Sequence, residues 1–288
     1  MSASRSLLCV PANRENMVVR AHQAPADVIV LDLEDSVPAS EKVATRAGLQ
    51  ASVASLKAAG KTVHIRVNHL ETGLTLDDLA AAVATELDGL AYPKTEDARQ
   101  VHELDALIRL EEQRNGRELG SIGLTPHVES ALGILNCREI STAAGRITGI
   151  GLSAFDYVAD LGVERTSGGV ELDYARRVIV HCCAARKIIA LDAPYGDFRD
   201  EAGLITETEY VKSIGFKGKY LIHPAQIELV NRVFAPDPKA IEEARRIVST
   251  FDEAMARGEA SVQIDGRMID LAVVRRARDL IAYADSIA

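Results

Sequence analysis

The sequence predicts an α/β fold in which a closed (β/α)₈ barrel, residues 1–236, precedes a small helix–hairpin–helix extension, residues 237–288. Three observations support this prediction. Short apolar runs alternate with longer amphipathic segments, polar or charged residues close the apolar runs, and the alternation stops after His223. Strands that alternate with helices form parallel βαβ units, and eight such units favour a closed barrel.

Eight apolar runs are the candidate strands: SLLCVP (6–11), VIVLDL (28–33), TVHIRVN (62–68), GLAYP (89–93), IGLTPHVE (122–129), ITGIGLS (147–153), IIALDAP (188–194) and YLIHP (220–224). Helical patterns lie between them at 40–59, 75–85, 98–115, 174–186 and 206–214. An open doubly wound sheet is the alternative fold. Its glycine-rich GxGxxG turn after the first strand is missing, which favours the barrel.

The pattern changes after His223. The segment Asn231–Pro238 reads NRVFAPDP and is predicted to be turn-rich. Residues 239–257 form a highly charged helical pattern. Residues 258–270 predict a hairpin that turns at Asp265–Gly266, and residues 271–284 predict a closing helix. We therefore expect a small C-terminal appendage of helix, hairpin and helix.

Composition argues against two classes of partner. The net charge of −9 and the aromatic content of 4% disfavour nucleic acid and anionic membranes. No apolar run reaches membrane-spanning length, and the N-terminal apolar run is too short for a signal peptide. The four cysteines show no metal-ligand spacing and are expected to be reduced thiols. These features predict a soluble cytoplasmic protein, and they leave a small anionic ligand open.

Two acids follow neighbouring candidate strands. Glu129 ends one strand and Asp156 follows the next. In a barrel the carboxyl ends of the strands form one rim, so these side chains are expected to lie close together. Neighbouring carboxylates repel unless a cation lies between them, and a few oxygen ligands with room for water suit Mg²⁺. A salt bridge to Arg66 is the alternative, and the residues alone leave both open.

The stretch VIVLDLEDSV ends a candidate strand in three carboxylates. Strand alternation places Asp32 and Glu34 on one side and Asp35 on the other side or in the turn. Glu34 and Asp35 are candidates for holding metal-bound waters, with helix capping as the alternative for Asp35. Arg66, in HIRVN, is a candidate for binding a carboxylate or a developing oxyanion. An ion pair between Arg66 and Glu34 is the alternative.

Eight motifs occur in series along the chain: RSLLCVPANRENMVVRA, VIVLDLEDSVPASEK, HIRVN, YPKTED, HVESALGILN, GLSAFDYVADLG, GFKGKYLIHPAQIELVNRVFAPDP and GRMID. In this order they resemble the CitE-like acyl-CoA lyases of the HpcH/HpaI superfamily. That group includes the citrate lyase β subunit, malyl-CoA lyase and citramalyl-CoA lyase. The resemblance covers Arg5 to about Asp270. It implies a TIM barrel with a C-terminal extension, assembled as a homotrimer or hexamer.

The resemblance also implies roles for individual residues. Glu129 and Asp156 would hold Mg²⁺, with Mn²⁺ as an alternative ion. Arg66 would contact the reacting substrate, and Glu34 and Asp35 would lie close to the metal-bound waters. The CoA thioester would bind along six residues: Arg14, Arg20, Lys94, Ile222, His223 and Pro224.

The implied reaction is Mg²⁺-dependent cleavage of a carbon–carbon bond. A β-hydroxyacyl-CoA of the malyl-CoA or citramalyl-CoA type would give acetyl-CoA and a 2-oxo acid, glyoxylate or pyruvate, in a reversible reaction. Asp270 would be the catalytic acid/base and would reach into a neighbouring subunit. Capping of the closing helix is the alternative role of Asp270. The alternative functions are a malyl-CoA thioesterase, a citrate lyase β-type subunit acting on an acyl-carrier-protein thioester, and a metal-dependent aldolase acting on free oxo acids.

Overall fold

The barrel lies between Ser4 and Val233, the first of two compact units of the chain. The computed structural model describes residues 4–258 and 262–287. Within the first of these ranges, eight parallel strands close into a barrel in sequence order, which confirms the predicted (β/α)₈ fold. The strands are β1 (Ser6–Pro11), β2 (Val28–Asp32), β3 (Thr62–Arg66), β4 (Gly89–Tyr92), β5 (Gly123–Val128), β6 (Gly149–Leu152), β7 (Ile189–Asp192) and β8 (Gly218–Leu221).

Helices connect the strands and surround the barrel. All five helices predicted in this part of the chain are present, although the last begins at Glu201 rather than at residue 206 because Asp200 caps it. No helix in the described ranges combines the length and hydropathy of a membrane span. The helices are α1 (Glu15–Ala21), α2 (Lys42–Ala58), α3 (Thr75–Val83), α4 (Ala98–Arg114), α5 (Ala131–Leu135), α6 (Cys137–Thr142), α7 (Ala154–Asp160), α8 (Asp173–Arg186), α9 (Glu201–Ile214) and α10 (Ile227–Phe234).

The segment Asn231–Pro238, predicted to be turn-rich, is helical in its first half. Helix α10 includes it as far as Phe234. Ile227, Val230 and Phe234 recur at helical spacing and are 0%, 0% and 2% exposed. Burial of this common apolar face outweighs the weak local helix signal, and the two prolines act only after the helix has ended.

The interior of the barrel is filled unevenly. Strand β6 contributes glycine at positions where neighbouring strands contribute side chains. A Cβ atom on Gly149 would lie 2.8 Å from Ile189, and one on Gly151 would lie 2.6 Å from His127. These contacts leave room for glycine alone, so the neighbouring strands fill this side of the interior. The apolar interior cluster comprises Leu7, Val28, Val30, Leu191 and Tyr220.

A buried network of ion pairs joins β7 and β8 to α8 and α9. Lys219 is 0% exposed, and its ammonium group contacts the carboxylates of Asp192 and Glu207. Arg176 donates two hydrogen bonds to Asp192, at 2.9 and 3.1 Å. Each of these charges has a partner of opposite sign, and loss of one partner would leave a buried charge uncompensated.

The second compact unit begins at Phe234 and has its own core. Strands β9 and β10 pair antiparallel, and a buried apolar cluster of Phe251, Ile264, Ile269 and Val274 lies within this unit. The order helix, hairpin, helix agrees with the prediction, and residues 259–261 of the predicted hairpin lie outside the described residues. The elements are α11 (Pro238–Ala256), β9 (Val262–Ile264), β10 (Arg267–Ile269) and α12 (Leu271–Ile287).

Candidate functional site

Polar residues from several strand ends meet at one rim of the barrel. Asp32 and Arg66 are the last residues of β2 and β3, and Glu129 directly follows β5. Lys94 follows β4, and Asp156 lies in the first turn of α7, after β6. Because the strands are parallel and closed, these positions share the carboxyl end of the barrel. The predicted metal ligands and the predicted substrate arginine therefore belong to the same rim.

A cleft of about 410 Å³ opens at this rim. Glu129, Asp156 and Lys94 line it together. Its other lining residues were not predicted from the sequence. Each lies near the carboxyl end of β3, β4, β5 or β6, and this position could have identified them. These residues are His69, Glu71, Glu96, Gln100, Ser130 and Asp160.

Glu129 is a buried carboxyl group with poorly compensated charge. It is 4% exposed, and its Oε1 atom has no hydrogen-bond partner among the described residues. Burial, followed by the negative charges of Asp156 and Glu34, raises the pKa of Glu129 to about 8 against the attraction of Arg66. This carboxyl group therefore holds a proton at neutral pH unless a cation replaces it.

Asp156 supplies the second carboxylate of the pair. It is half-buried, and Ser153 Oγ donates a hydrogen bond of 2.6 Å to Oδ2. Across residues 4–258 and 262–287, no group of three or more His, Cys, Asp or Glu side chains has metal-binding geometry. Two carboxylates beside an open cleft fit Mg²⁺, which keeps several waters, better than Zn²⁺, which takes three or four protein ligands. Glu129 and Asp156 are thus suited to a magnesium or manganese ion.

Arg66 is held by two carboxylates. Its Nε and Nη2 atoms donate to Asp32 at 2.7 and 2.8 Å, and Nη1 lies 3.1 Å from Glu34 Oε2. Burial alone would lower the pKa of Arg66, but these contacts raise it, so the guanidinium group stays charged. The ion pair with Glu34 was an open alternative in the sequence, and the pairing with Asp32 was missed. Of the five guanidinium N–H groups, two donate hydrogen bonds to Asp32, and the other three make none within the described residues.

Glu34 and Asp35 differ in their surroundings. Glu34 is 4% exposed, and burial raises its pKa although Arg66 and Lys94 oppose the shift. The Asp35 side chain is 63% exposed. Lys94 Nζ donates to Glu34 Oε1 at 2.6 Å and lies 3.5 Å from Asp35 Oδ1. Lys94 also has a left-handed backbone, with φ of 50°, and its backbone N–H group opposes the rise in the pKa of Glu129.

The other residues predicted to bind CoA follow β1 and β8: Arg14, Arg20, Ile222, His223 and Pro224. Arg14 precedes α1 and Arg20 lies in its last turn. Both are exposed, and neither side chain forms an ion pair within the described part of the chain. Ile222 is 45% exposed, and the His223 ring stacks on Phe198 with centroids 4.3 Å apart. These positions offer exposed cations and apolar surface to a ligand.

Asp270 caps helix α12 in the second unit. Its Oδ1 atom accepts hydrogen bonds from the N–H groups of Ala272 and Val273, at 2.9 and 3.0 Å. This is the capping role left open by the sequence, and the catalytic role stays a prediction. Met268 and Leu271, on either side of Asp270, are 75% and 66% exposed. The carboxylate therefore lies next to exposed apolar side chains.

Similarity to a family model decides the family of this chain. The model described as HpcH/HpaI aldolase/citrate lyase matches residues 5–224, which include all eight barrel strands. The chain belongs to the HpcH/HpaI aldolase/citrate lyase family. This membership confirms the resemblance seen in the motifs and the prediction of an enzyme of the lyase class.

Three relatives illustrate the range of the HpcH/HpaI family. Citrate lyase subunit beta of Leuconostoc mesenteroides subsp. cremoris is 37% identical over 98% of this chain and 93% of that protein. L-malyl-CoA/beta-methylmalyl-CoA lyase of Cereibacter sphaeroides is 32% identical over 99% of this chain and 95% of that protein. A crystal structure of CitE from Mycobacterium tuberculosis with magnesium, acetoacetate and coenzyme A is 28% identical, with 98% of both chains covered and a TM-score of 0.75.

Proposed function

We propose that this HpcH/HpaI family member is a Mg²⁺-dependent carbon–carbon lyase. It cleaves a β-hydroxyacyl-CoA, of the malyl-CoA or citramalyl-CoA type, to acetyl-CoA and glyoxylate or pyruvate. The observation that carries the proposal is the pair of carboxyl groups, Glu129 and Asp156, in one cleft within the field of Arg66. The Cereibacter relative is named as a malyl-CoA lyase, and the Mycobacterium CitE binds magnesium and coenzyme A, which supports this choice.

The rim residues have separate proposed roles. Glu129 and Asp156 would hold the ion, and Glu34 and Asp35 would orient water beside it. When bound, Mg²⁺ would lower the pKa of the substrate hydroxyl group. Arg66 would direct its remaining N–H groups at the oxygen on which negative charge develops. Since Asp32 and Glu34 already fix the guanidinium group, Arg66 needs little reorganisation during the reaction.

Asp270 acts on the other product. The Asp270 carboxylate would accept the proton that leaves the substrate hydroxyl group as the Cα–Cβ bond breaks, and would then give that proton to the enolate carbon of acetyl-CoA. In the reverse condensation the carboxylate takes that proton back, a contribution of about 10²–10⁴-fold in rate. The extension, residues 237–288, would bring Asp270 to a neighbouring subunit of a homotrimer or hexamer. The exposed Met268 and Leu271 support docking of this segment.

The CoA part of the substrate has its own proposed contacts. Arg14 and Arg20 would bind its phosphates, because both are exposed cations without a protein partner in the described residues. Lys94, which contacts Glu34, would add a third cation. The loop of Ile222, His223 and Pro224 would contact its apolar arm.

Product analysis tests the reaction. The purified chain is incubated with Mg²⁺ and malyl-CoA or citramalyl-CoA, and phenylhydrazine traps any oxo acid. Release of an oxo acid with acetyl-CoA is expected, and Glu129→Gln or addition of EDTA should abolish it. Release of free malate or citramalate without an oxo acid would replace the lyase by a thioesterase. Cleavage of a free hydroxy acid without CoA would indicate an aldolase.

Mixed oligomers test the position of Asp270. Asp270→Asn and Arg66→Lys are each expected to be nearly inactive alone. If Asp270 serves a neighbouring subunit, co-expressed mixtures regain activity, because some sites combine an intact Arg66 with an intact Asp270. Mixtures as inactive as the separate variants would contradict a shared site.

A citrate lyase β-type subunit is the second candidate. The Leuconostoc subunit aligns with 98% of this chain at 37% identity, so the extension does not argue against this function. Such a subunit would act on a thioester carried by an acyl-carrier protein. Turnover of the carrier-bound thioester, with none of the CoA thioester, would favour it.

A further inference from the structure

Two buried aromatic rings lie beneath Glu129 in the barrel. Tyr220 on β8 and His127 on β5 are 3% and 5% exposed. The Tyr220 hydroxyl group lies 2.8 Å from His127 Nε2, and the rings meet edge to face with centroids 4.7 Å apart. The other ring nitrogen, His127 Nδ1, lies 3.8 Å from Glu129 Oε1. The three side chains therefore form a line from the barrel interior to the rim.

Hydrogen-bond chemistry selects one arrangement of protons along this line. A neutral imidazole ring carries one N–H group, either on the nitrogen that meets Tyr220 or on the nitrogen that faces Glu129. As a metal ligand Glu129 is a carboxylate, and with the N–H group on Nε2 the Nδ1 lone pair would face a carboxylate oxygen, so two acceptors would repel. If Tyr220 donates to Nε2 instead, the Nδ1–H group faces Glu129 Oε1. The second arrangement turns a donor toward the carboxylate and avoids two facing acceptors.

The barrel is built around these two rings. Gly151 on β6 lies opposite His127 in the strand register. A Cβ atom there would come within 2.6 Å of the His127 ring and 3.1 Å of the Tyr220 ring. Glycine at this position therefore leaves the space that the two rings occupy.

We propose that Tyr220 and His127 are positioning residues for Glu129. Tyr220 fixes the His127 tautomer, and the Nδ1–H group attracts Oε1, which has no hydrogen-bond partner in the described residues. Oε2 is then left to bind Mg²⁺. The inference rests on the proposed function, because it takes Glu129 as a metal ligand. At 3.8 Å the imidazole contact is electrostatic rather than a full hydrogen bond.

Magnesium affinity is the direct test. MgCl₂ is titrated calorimetrically into the substrate-free protein, so the result does not depend on turnover. Tyr220→Phe should weaken Mg²⁺ binding about 3–10-fold, and His127→Leu about 10–100-fold. Lyase kcat should fall in both variants while KM for the thioester stays nearly constant. The matched control is Tyr210→Phe, which removes a tyrosine hydroxyl bonded to Asp173 on the helical shell and should leave Mg²⁺ affinity unchanged.

A conservative variant separates positioning from packing. In His127→Asn the amide N–H₂ group can occupy the place of Nδ1–H, so this variant should recover part of the affinity that His127→Leu loses. Wild-type affinity in Tyr220→Phe and His127→Leu would overturn the inference. If the wild type binds no Mg²⁺, the proposed function fails and the inference fails with it. If it binds Mg²⁺ but releases no oxo acid, only the proposed reaction is wrong, and the affinities still decide the inference.

Discussion

Replacing Glu129 by glutamine should stabilise the metal-free protein while it removes Mg²⁺ binding. Glu129 is buried, its Oε1 atom lacks a partner in the described residues, and nearby negative charges oppose its ionisation. Glutamine keeps the shape of the side chain but carries no charge. A site that must bind a cation is expected to cost stability in this way.

The size of the effect follows from the raised pKa. Between the ordinary value of 4.5 and about 8, native Glu129 holds a proton that the unfolded chain releases. The free energy of unfolding therefore falls as pH rises through this window. For this shift the loss is about 3 kcal/mol at pH 7 and about 4 kcal/mol at pH 8. Glu129→Gln should lack this loss and exceed the wild type by roughly 2–4 kcal/mol at pH 8.

Urea unfolding in EDTA, at about pH 6, 7 and 8, measures this difference. Far-UV circular dichroism is the suitable signal because the chain has no tryptophan. Mg²⁺ at about 100 times its Kd should then add about 2.7 kcal/mol to the wild type and nothing to the variant. The control is Glu103→Gln on α4, whose side chain is 49% exposed and whose loss should cost under about 0.5 kcal/mol. A variant no more stable than the wild type at pH 8 would refute the reasoning.

Three further substitutions test other parts of the structure. Asp270→Asn should keep its helix cap, because asparagine caps as well as aspartate, and should lose about 10²–10⁴-fold in turnover; near-normal oxo-acid release would exclude Asp270 from the chemistry. Asp32→Ala should lower the free energy of unfolding by about 3–5 kcal/mol, since Arg66 loses two hydrogen bonds; a loss under about 1 kcal/mol in urea would show that Arg66 is held by other contacts. Lys219→Met should cost a similar amount, about 3–5 kcal/mol, because two buried carboxylates lose their shared ammonium group. An unchanged thermal midpoint of that variant would contradict the role given to the buried network.

Sequence pattern predicted the strands well, because a strand buried on both faces reads as an apolar run wherever it occurs. The run at 122–129 corresponds to β5, Gly123–Val128. The short helices α5, α6 and α7 were not predicted, because five to seven residues contain too few helical periods to be recognised. Helix α10 was missed for a different reason. Its apolar face is buried by residues from elsewhere in the chain, and the local sequence does not show those contacts.

The sequence predicted those site residues that can be recognised from their position at the end of a single strand. Glu129 was identified from its place after an apolar run, and Asp156 from its place after the next. The pairing of Asp32 with Arg66 depends on the register of β2 against β3, which sets these residues side by side. The line from Tyr220 through His127 joins strands distant in sequence, and no single-chain pattern reports such contacts.

Glycines in β6 have a consequence for mutational surveys. Gly149 and Gly151 face the packed interior, and even a methyl group at either place would overlap a neighbour. A saturation library would therefore score both positions as intolerant, as it would a true reaction centre. Substitutions in this strand fail because the neighbouring residues leave no room for a side chain. The structure is therefore needed to distinguish a packing requirement from a catalytic one.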